Sequence, residues 1–252
     1  MIRVLISDDE PLARARLRDL LRACPGVAVA GEAADGRETL QLCHRLQPDV
    51  VLLDIRMPAM DGLEAAGHLA AQEDPPAVIF VTAYGDHALA AFEAQAVDYL
   101  LKPVRLERLQ RALARVDRPG RLDGGRLQAI QAATDGPRPR THLSARFRER
   151  LLLVPVADVL YFRADHKYVL VRHRGGEMLI EDSLKSLETE FGDRFLRIHR
   201  NALVAAEAIA GMEKAHDGRY RLCLRDCPDR LEISRRHLRA LRAHLKALAR
   251  RA

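Results

Sequence analysis

Residues 50–62 read VVLLDIRMPAMDG, and this stretch joins four apolar residues that favour a β-strand to an acid, Asp54. Aspartate often closes a strand, because its side chain can hydrogen-bond to the backbone of the turn that follows. In an open parallel sheet, however, the carboxyl ends of the strands are also where functional groups gather. The residues at the other strand ends therefore determine whether Asp54 has a structural or a chemical role.

Four further apolar runs, rich in Val, Ile and Leu, alternate with helical patterns in the first half of the chain. They lie at residues 2–6, 27–30, 78–81 and 97–101. Parallel strands that are joined by crossover helices have this rhythm. The pattern predicts a doubly wound, flavodoxin-like α/β sheet, for which we expect the strand order 2-1-3-4-5.

Polar residues follow several of these runs. Asp8 and Asp9 close the first predicted strand, Thr82 closes the fourth, and the fifth leads to Lys102. In the expected order the first and third strands are neighbours, so Asp8, Asp9 and Asp54 converge. A hard divalent cation with a preference for oxygen ligands, such as Mg²⁺, would relieve the repulsion among the three carboxylates.

Such a site suits phosphoryl transfer to a carboxylate. The cation would shield the incoming phosphoryl oxygens, so that Asp54 acts as a nucleophile and forms an acyl phosphate. Lys102 supplies an ammonium group and Thr82 a hydroxyl group for two of the phosphoryl oxygens. We therefore predict that Asp54 is the phosphorylated residue.

Residues 1–116 resemble the receiver domain of a two-component response regulator. The resemblance rests on the spacing of three motifs: SDDEP at 7–11, LLDIRMPAMDG at 52–62 and VTAYGDHALAAFEAQAVDYLLKP at 81–103. It implies that a sensor histidine kinase phosphorylates Asp54.

The same resemblance implies roles for the residues around Asp54. Mg²⁺ would be held by Asp9 and Asp54, by Asp8 through a water molecule, and by the backbone carbonyl of Arg56. Tyr99 would move together with Thr82 as a switch, and the bond between Lys102 and Pro103 is often cis in this family, an isomer that proline permits.

Length and composition limit the class of protein. With 252 residues, 48% of them hydrophobic and 30% charged, the chain is long enough for two modest cores and too polar for a membrane protein. The acids in MIRVLISDDE leave no room for a signal peptide, so we expect a cytoplasmic protein without a membrane partner. The four cysteines are scattered along the chain, at Cys24, Cys43, Cys223 and Cys227, so we expect them to be reduced thiols that bind no metal.

The two halves of the chain differ in charge. Residues 1–116 contain 13 Lys and Arg against 17 Asp and Glu, a net charge of −4, whereas residues 117–252 contain 28 against 18, a net charge of +10. The basic half makes a polyanion a candidate partner. Gly, Pro and charged residues concentrate between the halves, which predicts domains at 1–116 and 138–252 and a linker at 117–137.

Short alternating runs dominate the second half and predict a mostly-β domain. Gly175-Gly176 and Asp217-Gly218 stand where two-residue hairpin turns are expected, and helical patterns occupy 183–191 and 235–250. The β-like runs lie at 142–148, 151–154, 158–163, 167–173, 177–181, 195–199, 208–213, 219–225 and 230–234.

Three stretches of the second half are rich in basic side chains, and the second of them also contains an amide, Asn201: ADHKY at 164–168, FLRIHRNALV at 195–204 and ISRRHL at 233–238. No tandem helix pair is predicted, so strands or loops would have to contact a nucleic acid. Arginine can hydrogen-bond to guanine, asparagine to adenine, and basic side chains to phosphates. The candidate DNA-binding residues are His166, Lys167, Arg197, His199, Arg200, Asn201, Arg235 and Arg236.

These stretches resemble the LytTR-type DNA-binding domain of the LytR/AlgR group of response regulators, over roughly residues 138–245. The resemblance implies that loops of a mostly-β domain enter successive major grooves of double-stranded DNA. The matching readers are His166 or Lys167, Arg200 with Asn201, and Arg235. Ala205 departs from the family, which often has Asn at that position.

The combined prediction is a phosphorylation-dependent, DNA-binding regulator of transcription that forms a homodimer on phosphorylation or on DNA. We expect no enzymatic activity beyond its own phosphorylation and dephosphorylation. Two alternatives remain open, a phosphoaspartyl phosphatase with a basic substrate-binding domain and an RNA-binding protein. Haloacid-dehalogenase-type phosphatases have a nucleophilic Asp on the first strand and a second Asp two residues later. The first strand of this chain leads into DDE at 8–10, which lacks that spacing because position 10 is Glu10. The RNA alternative lacks an aromatic stacking platform.

Overall fold

The structure is a computed structural model, and it describes residues 1–72, 74–83, 98–116, 139–147, 150–215 and 218–249. The chain divides into two compact units, Met1–Arg138 and Pro139–Ala252. The predicted linker at 117–137 lies outside the described residues, so the domain boundaries stay a prediction.

The first unit alternates strands and helices around one parallel sheet. Its order is β2-β1-β3-β4-β5, which confirms the predicted strand order. The strands are β1 (Ile2–Ser7), β2 (Val27–Ala33), β3 (Val50–Asp54), β4 (Ala77–Thr82) and β5 (Asp98–Leu101). The described helices are α1 (Pro11–Arg22), α2 (Gly36–Leu46), α3 (Gly62–Ala70) and α4 (Leu106–Leu113).

Packing on this sheet explains why β3 reads as an apolar run that ends in an acid. β3 lies in the middle of the sheet, and all of its residues are buried. Val50 and Leu52 point into a core that α1 and α4 complete with Leu17, Leu21 and Leu109. A strand enclosed in this way takes apolar side chains along its length, and its last residue, Asp54, is a buried acid at the edge of the sheet.

Helix α3 begins directly against the backbone of Asp54. The carboxylate of Asp61 caps this helix by accepting a hydrogen bond from the backbone N–H of Glu64 at 2.8 Å. The next residue is Gly62, whose N–H donates to the carbonyl of Ile55 at 2.9 Å. A Cβ at position 62 would lie 1.9 Å from the carbonyl oxygen of Asp54. Any side chain there would displace the backbone that carries Asp54.

The second unit is mostly β, as predicted. It contains a five-stranded sheet in the order β10-β9-β8-β12-β11, a three-stranded sheet β13-β14-β15 and the hairpin β6-β7. The strands are β6 (His142–Phe147), β7 (Arg150–Pro155), β8 (Val159–Asp165), β9 (Tyr168–His173), β10 (Gly176–Ile180), β11 (Phe195–His199), β12 (Ala202–Ala205), β13 (Ile209–Lys214), β14 (Tyr220–Leu224) and β15 (Cys227–Ile233). Two α-helices, α5 (Leu184–Phe191) and α6 (Arg235–Ala249), complete the unit.

Two details of the second unit differ from the sequence prediction. The strand β12, Ala202–Ala205, was not predicted, because its four residues are set by pairing with β11 and β8 rather than by a pattern of their own. The turn between β9 and β10 is formed by Arg174 and Gly175, since Gly176 already pairs with His173. The predicted turn at Asp217-Gly218 includes residues outside the described ranges.

The five-stranded sheet is covered on both faces. On one face, the ring of Phe162 lies 4.8 Å from that of Phe195 and 6.2 Å from that of Phe191 on α5. On the other face, residues of β8, β11 and β12 pack against the three-stranded sheet and α6. Leu238, Leu241 and Leu245, which share one face of α6, lie in or against that second core, so this face of the helix is a packing face.

Tyr161, a buried residue, links the two sheets of the second unit by a hydrogen bond. Its side chain is 1% exposed, and its hydroxyl donates to Oδ2 of Asp229 at 2.9 Å. Burial, with the adjacent Asp229 carboxylate, raises the pKa of Tyr161 to about 12. The Cys227 thiol donates to the same carboxylate oxygen at 3.3 Å.

We expect Tyr161→Phe to lower the free energy of unfolding of the second unit by about 1–2 kcal/mol, because a hydrogen bond from a buried residue to a charged acceptor is lost. Native-state hydrogen exchange of the β8 and β15 amides in the full chain measures this loss. The difference in unfolding free energy between wild type and Tyr161→Phe should shrink between pH 10 and pH 12. In this range the phenol loses its proton in the unfolded chain but keeps it in the folded chain, which favours the unfolded state of wild type. Tyr220→Phe is the control, and an equal loss there would contradict the assignment.

Candidate functional sites

Three carboxylates meet at the carboxyl edge of the parallel sheet and form a cluster that we call the acid pocket: Asp8, Asp9 and Asp54. One oxygen from each lies within 4.8 Å of the others. Ser7 of β1 pairs with Leu53 of β3, and this register brings the acids that follow each strand side by side. Asp8 and Asp54 are buried, whereas Asp9 is exposed.

Lys102 enters the acid pocket from the end of β5. Its Nζ lies 2.7 Å from Oδ2 of Asp54 and 2.8 Å from Oδ2 of Asp8. Burial acts to lower the pKa of Lys102, but the hydrogen bonds and charges of the two carboxylates outweigh it and raise that pKa. The ammonium group therefore stays charged at neutral pH. The peptide bond from Lys102 to Pro103 is cis, as the family resemblance implies.

The two oxygens of Asp54 face different groups. Oδ2 accepts from Lys102, and Oδ1 accepts from the backbone N–H of Arg56 at 3.3 Å. Burial raises the pKa of Asp54 above its ordinary value, although the hydrogen bond and charge of Lys102 act in the opposite direction. Asp54 is thus a carboxylate in a poorly solvated setting, with a cation within reach of the position that a transferred group would take.

The predicted switch residues lie on the two strands beyond β3. Thr82 is buried at the end of β4, where it pairs with Leu101 of β5. Its backbone carbonyl accepts a hydrogen bond from the N–H of Lys102 at 2.8 Å, which ties the two strand ends together. Tyr99 is half-buried on β5 and pairs with Phe80.

Arg14 also belongs to this site, and sequence reasoning did not find it. Its Nη1 donates to the backbone carbonyls of Asp8 at 2.7 Å and Asp9 at 3.3 Å. The same guanidinium lies 3.5 Å from the carboxylate of Glu32. Arg14 therefore braces the loop that carries two acids of the pocket. Because it contacts carbonyl oxygens, no pattern of side chains indicates this role.

In the second unit, backbone hydrogen bonds join the three basic stretches at one end of the five-stranded sheet. The N–H of Ala164 donates to the carbonyl of Asn201 at 2.8 Å, and the N–H of Ser234 donates to that of Ile198 at 2.9 Å. We call this region the reading edge; it comprises the β8–β9 turn (166–167), the β11–β12 turn (200–201) and the first two residues of α6 (235–236).

Most of the predicted DNA-binding side chains on the reading edge are open to solvent. His166, in the left-handed conformation with φ 54°, has a side chain that is 96% exposed. Lys167 is exposed beside it, with its ammonium 4.9 Å from the ring centre of Tyr168. Arg200, Asn201, Arg235 and Arg236 are also exposed, whereas His199 is half-buried and its Nδ1 contacts the side-chain oxygen of Asn201.

Arg197 differs from the other candidates because its guanidinium is occupied within the unit. Nε donates to the carbonyl of His199 at 2.8 Å, Nη2 donates to the carbonyl of Arg200, and Nη1 donates to Glu188 at 3.0 Å. Its side chain is 19% exposed. No observation tests the predicted contact of Arg197 with DNA. The three bonds connect Arg197 to the end of β11, to the turn that follows it and to α5.

Two sequence families match the chain. The response regulator receiver domain matches residues 4–114, and the LytTr DNA-binding domain matches residues 149–246. The first match contains the whole acid pocket, and the second contains the whole reading edge. This combination defines a DNA-binding response regulator.

Two relatives match nearly the whole chain, and a solved structure matches its first half. The positive alginate biosynthesis regulatory protein of Pseudomonas aeruginosa is 49% identical over 241 residues, which are 95% of this chain and 97% of that protein. The transcriptional regulatory protein BtsR of Escherichia coli is 35% identical over 96% of this chain and 98% of its own. The response regulatory domain of protein mrkE from Klebsiella pneumoniae, a solved structure, aligns with 46% of this chain and 94% of its own at 32% identity and a TM-score of 0.41.

The chain therefore belongs to the LytR/AlgR group of two-component response regulators. It is a transcriptional regulator with a receiver domain and a DNA-binding domain, which decides against the phosphoaspartyl phosphatase. Within the described ranges, no helix is both long and apolar enough to span a bilayer.

Proposed function

We propose that a sensor histidine kinase phosphorylates Asp54 with Mg²⁺ bound in the acid pocket, and that this modification controls how the second unit binds specific double-stranded DNA. The observation that carries the first part is the contact of Lys102 with both Asp54 and Asp8, at 2.7 Å and 2.8 Å, inside a cluster of three carboxylates. A lone acid that merely closed a strand would need neither the cation nor the other two acids.

The donors of the acid pocket fit Mg²⁺. They are all carboxylate oxygens, one of the acids is exposed and accessible to a hydrated ion, and a single ammonium group leaves an excess of negative charge. Asp9 and Asp54 would hold the ion directly, Asp8 through water, and the backbone carbonyl of Arg56 would be a further ligand. When bound, Mg²⁺ would offset the charge that the phosphoryl group brings to the pocket.

The residues of the chain supply the remaining steps. An oxygen of Asp54 attacks the donor phosphorus, and the bond from phosphorus to the donor's leaving atom breaks, so the phosphoryl group passes to the carboxylate. Lys102 can exchange its contact with Asp54 for one with a phosphoryl oxygen, which keeps its charge paired. The hydroxyl group of Thr82 then donates a hydrogen bond to another phosphoryl oxygen. Tyr99 on the neighbouring strand moves together with Thr82, and the two residues act as the switch.

The reading edge would contact the DNA. Its three segments carry exposed side chains suited to base edges and phosphates, and two backbone hydrogen bonds keep the segments in register. Both relatives described above are regulators by name, which supports the same role for this chain. We further propose that it acts in the cytoplasm and forms a homodimer on phosphorylation or on DNA.

We expect Arg200→Ala and Arg235→Ala to weaken binding to a specific duplex by about 1–3 kcal/mol each, with little change on random DNA, because each removes a donor to a base edge. Filter binding with both duplexes at one salt concentration measures this difference. Arg225→Ala is the matched control, because Arg225 is an exposed arginine in the β14–β15 turn, and β15 runs from that turn to the start of α6. A uniform loss on both duplexes would reassign the two arginines to phosphate contacts.

A further inference from the structure

We propose that Arg197 and Glu188 are positioning residues for DNA recognition, which hold the β11–β12 turn in the conformation that presents Arg200 and Asn201 to a base pair. This inference rests on the proposed DNA-binding role of the reading edge. It assigns Arg197 to the inside of the recognition turn rather than to the DNA, and it gives a role in DNA binding to an acid on α5.

The contacts of Arg197 span the turn. One guanidinium donates to the His199 carbonyl, to the Arg200 carbonyl and to Glu188. Its donors have a fixed planar geometry, so these three bonds together define its orientation. The two carbonyls belong to the residues at which β11 ends and the turn begins. An irregularity in the β11–β12 pairing lies between Arg197 and His199, so the ladder itself leaves this segment less constrained.

Glu188 fixes the guanidinium from a rigid support. It lies on α5, a helix that begins with a Ser183 capping box and packs Leu187 and Phe191 into the core, 0% and 3% exposed. Its carboxylate lies 3.0 Å from Nη1 of Arg197, whose side chain is 19% exposed. A charge-assisted hydrogen bond of this kind restricts the arginine to one orientation.

Two possible roles of Glu188 predict opposite effects on DNA binding when its charge is removed. An acid close to a DNA-binding edge repels phosphates, so if Glu188 has only an electrostatic effect, its neutralisation should strengthen DNA binding. If Glu188 positions Arg197, the same change should loosen the turn and weaken specific binding. Glu188→Gln preserves size and removes the charge, so the sign of the change in affinity separates the explanations.

A matched control is available on the same helix. Glu190 also pairs with an arginine, since both of its oxygens accept from Arg140, at 2.9 Å and 2.8 Å. Glu190→Gln therefore removes the same charge and disturbs the same helix, but it does not touch the β11–β12 turn. We expect this variant to bind the specific duplex as wild type does.

The experiment uses the full chain and two duplexes, one that wild type enriches from a random-sequence pool and a shuffled duplex of equal length. We expect Glu188→Gln to lose about tenfold in affinity for the enriched duplex and almost nothing on the shuffled one, as for a lost charge-assisted hydrogen bond. Arg197→Gln should lose at least as much. The salt dependence of binding should keep the wild-type slope, whereas a phosphate contact by Arg197 would lower that slope by about one unit.

Several outcomes would overturn the proposal. Tighter binding by Glu188→Gln, an equal loss in Glu190→Gln, or a reduced salt slope in Arg197→Gln would each contradict the positioning role. Thermal unfolding of each variant shows whether the second unit stays folded, and Glu188→Gln tests the proposal even if Arg197→Gln unfolds. If Arg200→Ala also binds as wild type does, or if wild type enriches no duplex, the proposed function of the reading edge itself is wrong.

Discussion

Replacement of Asp54 by Asn is expected to abolish phosphoryl uptake by the full chain from a small phosphoryl donor in the presence of Mg²⁺. The amide of Asn is not a nucleophile, so no acyl phosphate can form at position 54. Asp54 also contacts Lys102, as Asp8 does, and shares the acid pocket with Asp8 and Asp9. Incubation with radiolabelled donor, followed by gel separation, measures uptake directly.

Two control variants make this result specific. Asp9→Asn keeps the nucleophile and removes a proposed Mg²⁺ ligand, so its labelling should recover as the Mg²⁺ concentration is raised. Asp19→Asn removes an exposed acid of α1 that pairs with Arg22, outside the pocket, and should be labelled as wild type is. Labelling of Asp54→Asn equal to wild type would show that the phosphorylated residue lies elsewhere.

Phosphorylation is expected to raise the affinity of the full chain for paired DNA sites by about 10²- to 10⁴-fold and to leave its affinity for one half-site unchanged. We expect the proposed homodimer to pair through its receiver domains, which places two DNA-binding domains on one assembly. Once one of these domains is bound, the other binds its site at a raised effective concentration without any new base contact. Gel-shift titrations with one-site and two-site duplexes, with and without a phosphoryl donor, measure both affinities. The isolated second unit should bind one half-site equally in both conditions.

Light scattering distinguishes this mechanism from the simplest alternative. If the phosphorylated chain stays monomeric and gains as much affinity for one half-site as for two, dimerisation is not the signal. Release of an inhibitory contact between the two units would then explain the gain. Asp54→Asn serves as the reference for both duplexes, because it should show no response to the donor.

The sequence was sufficient to predict the first sheet and the acid pocket. An apolar run that ends in an acid, as at Val50–Asp54, indicates a buried strand with a polar group at its carboxyl end. The carboxyl ends of parallel strands meet at one edge of the sheet, so such polar groups are brought together there. The positions of Asp8, Thr82 and Lys102 follow from the same rule. The three basic stretches of the second unit could also be found in the sequence, because residues in exposed turns are often charged or polar.

Only the tertiary structure decided which of these polar groups remain available for binding. Arg197 and Arg200 are both arginines in one short stretch, yet the donors of Arg197 bond to backbone carbonyls and to Glu188, while Arg200 is exposed. Strand β12 likewise depends on hydrogen bonds from β8 and β11, and Arg14 acts through the carbonyls of the acid-pocket loop. Backbone carbonyls are the same in every residue, so contacts with them leave no signature in a sequence and depend on chain segments that only folding brings together.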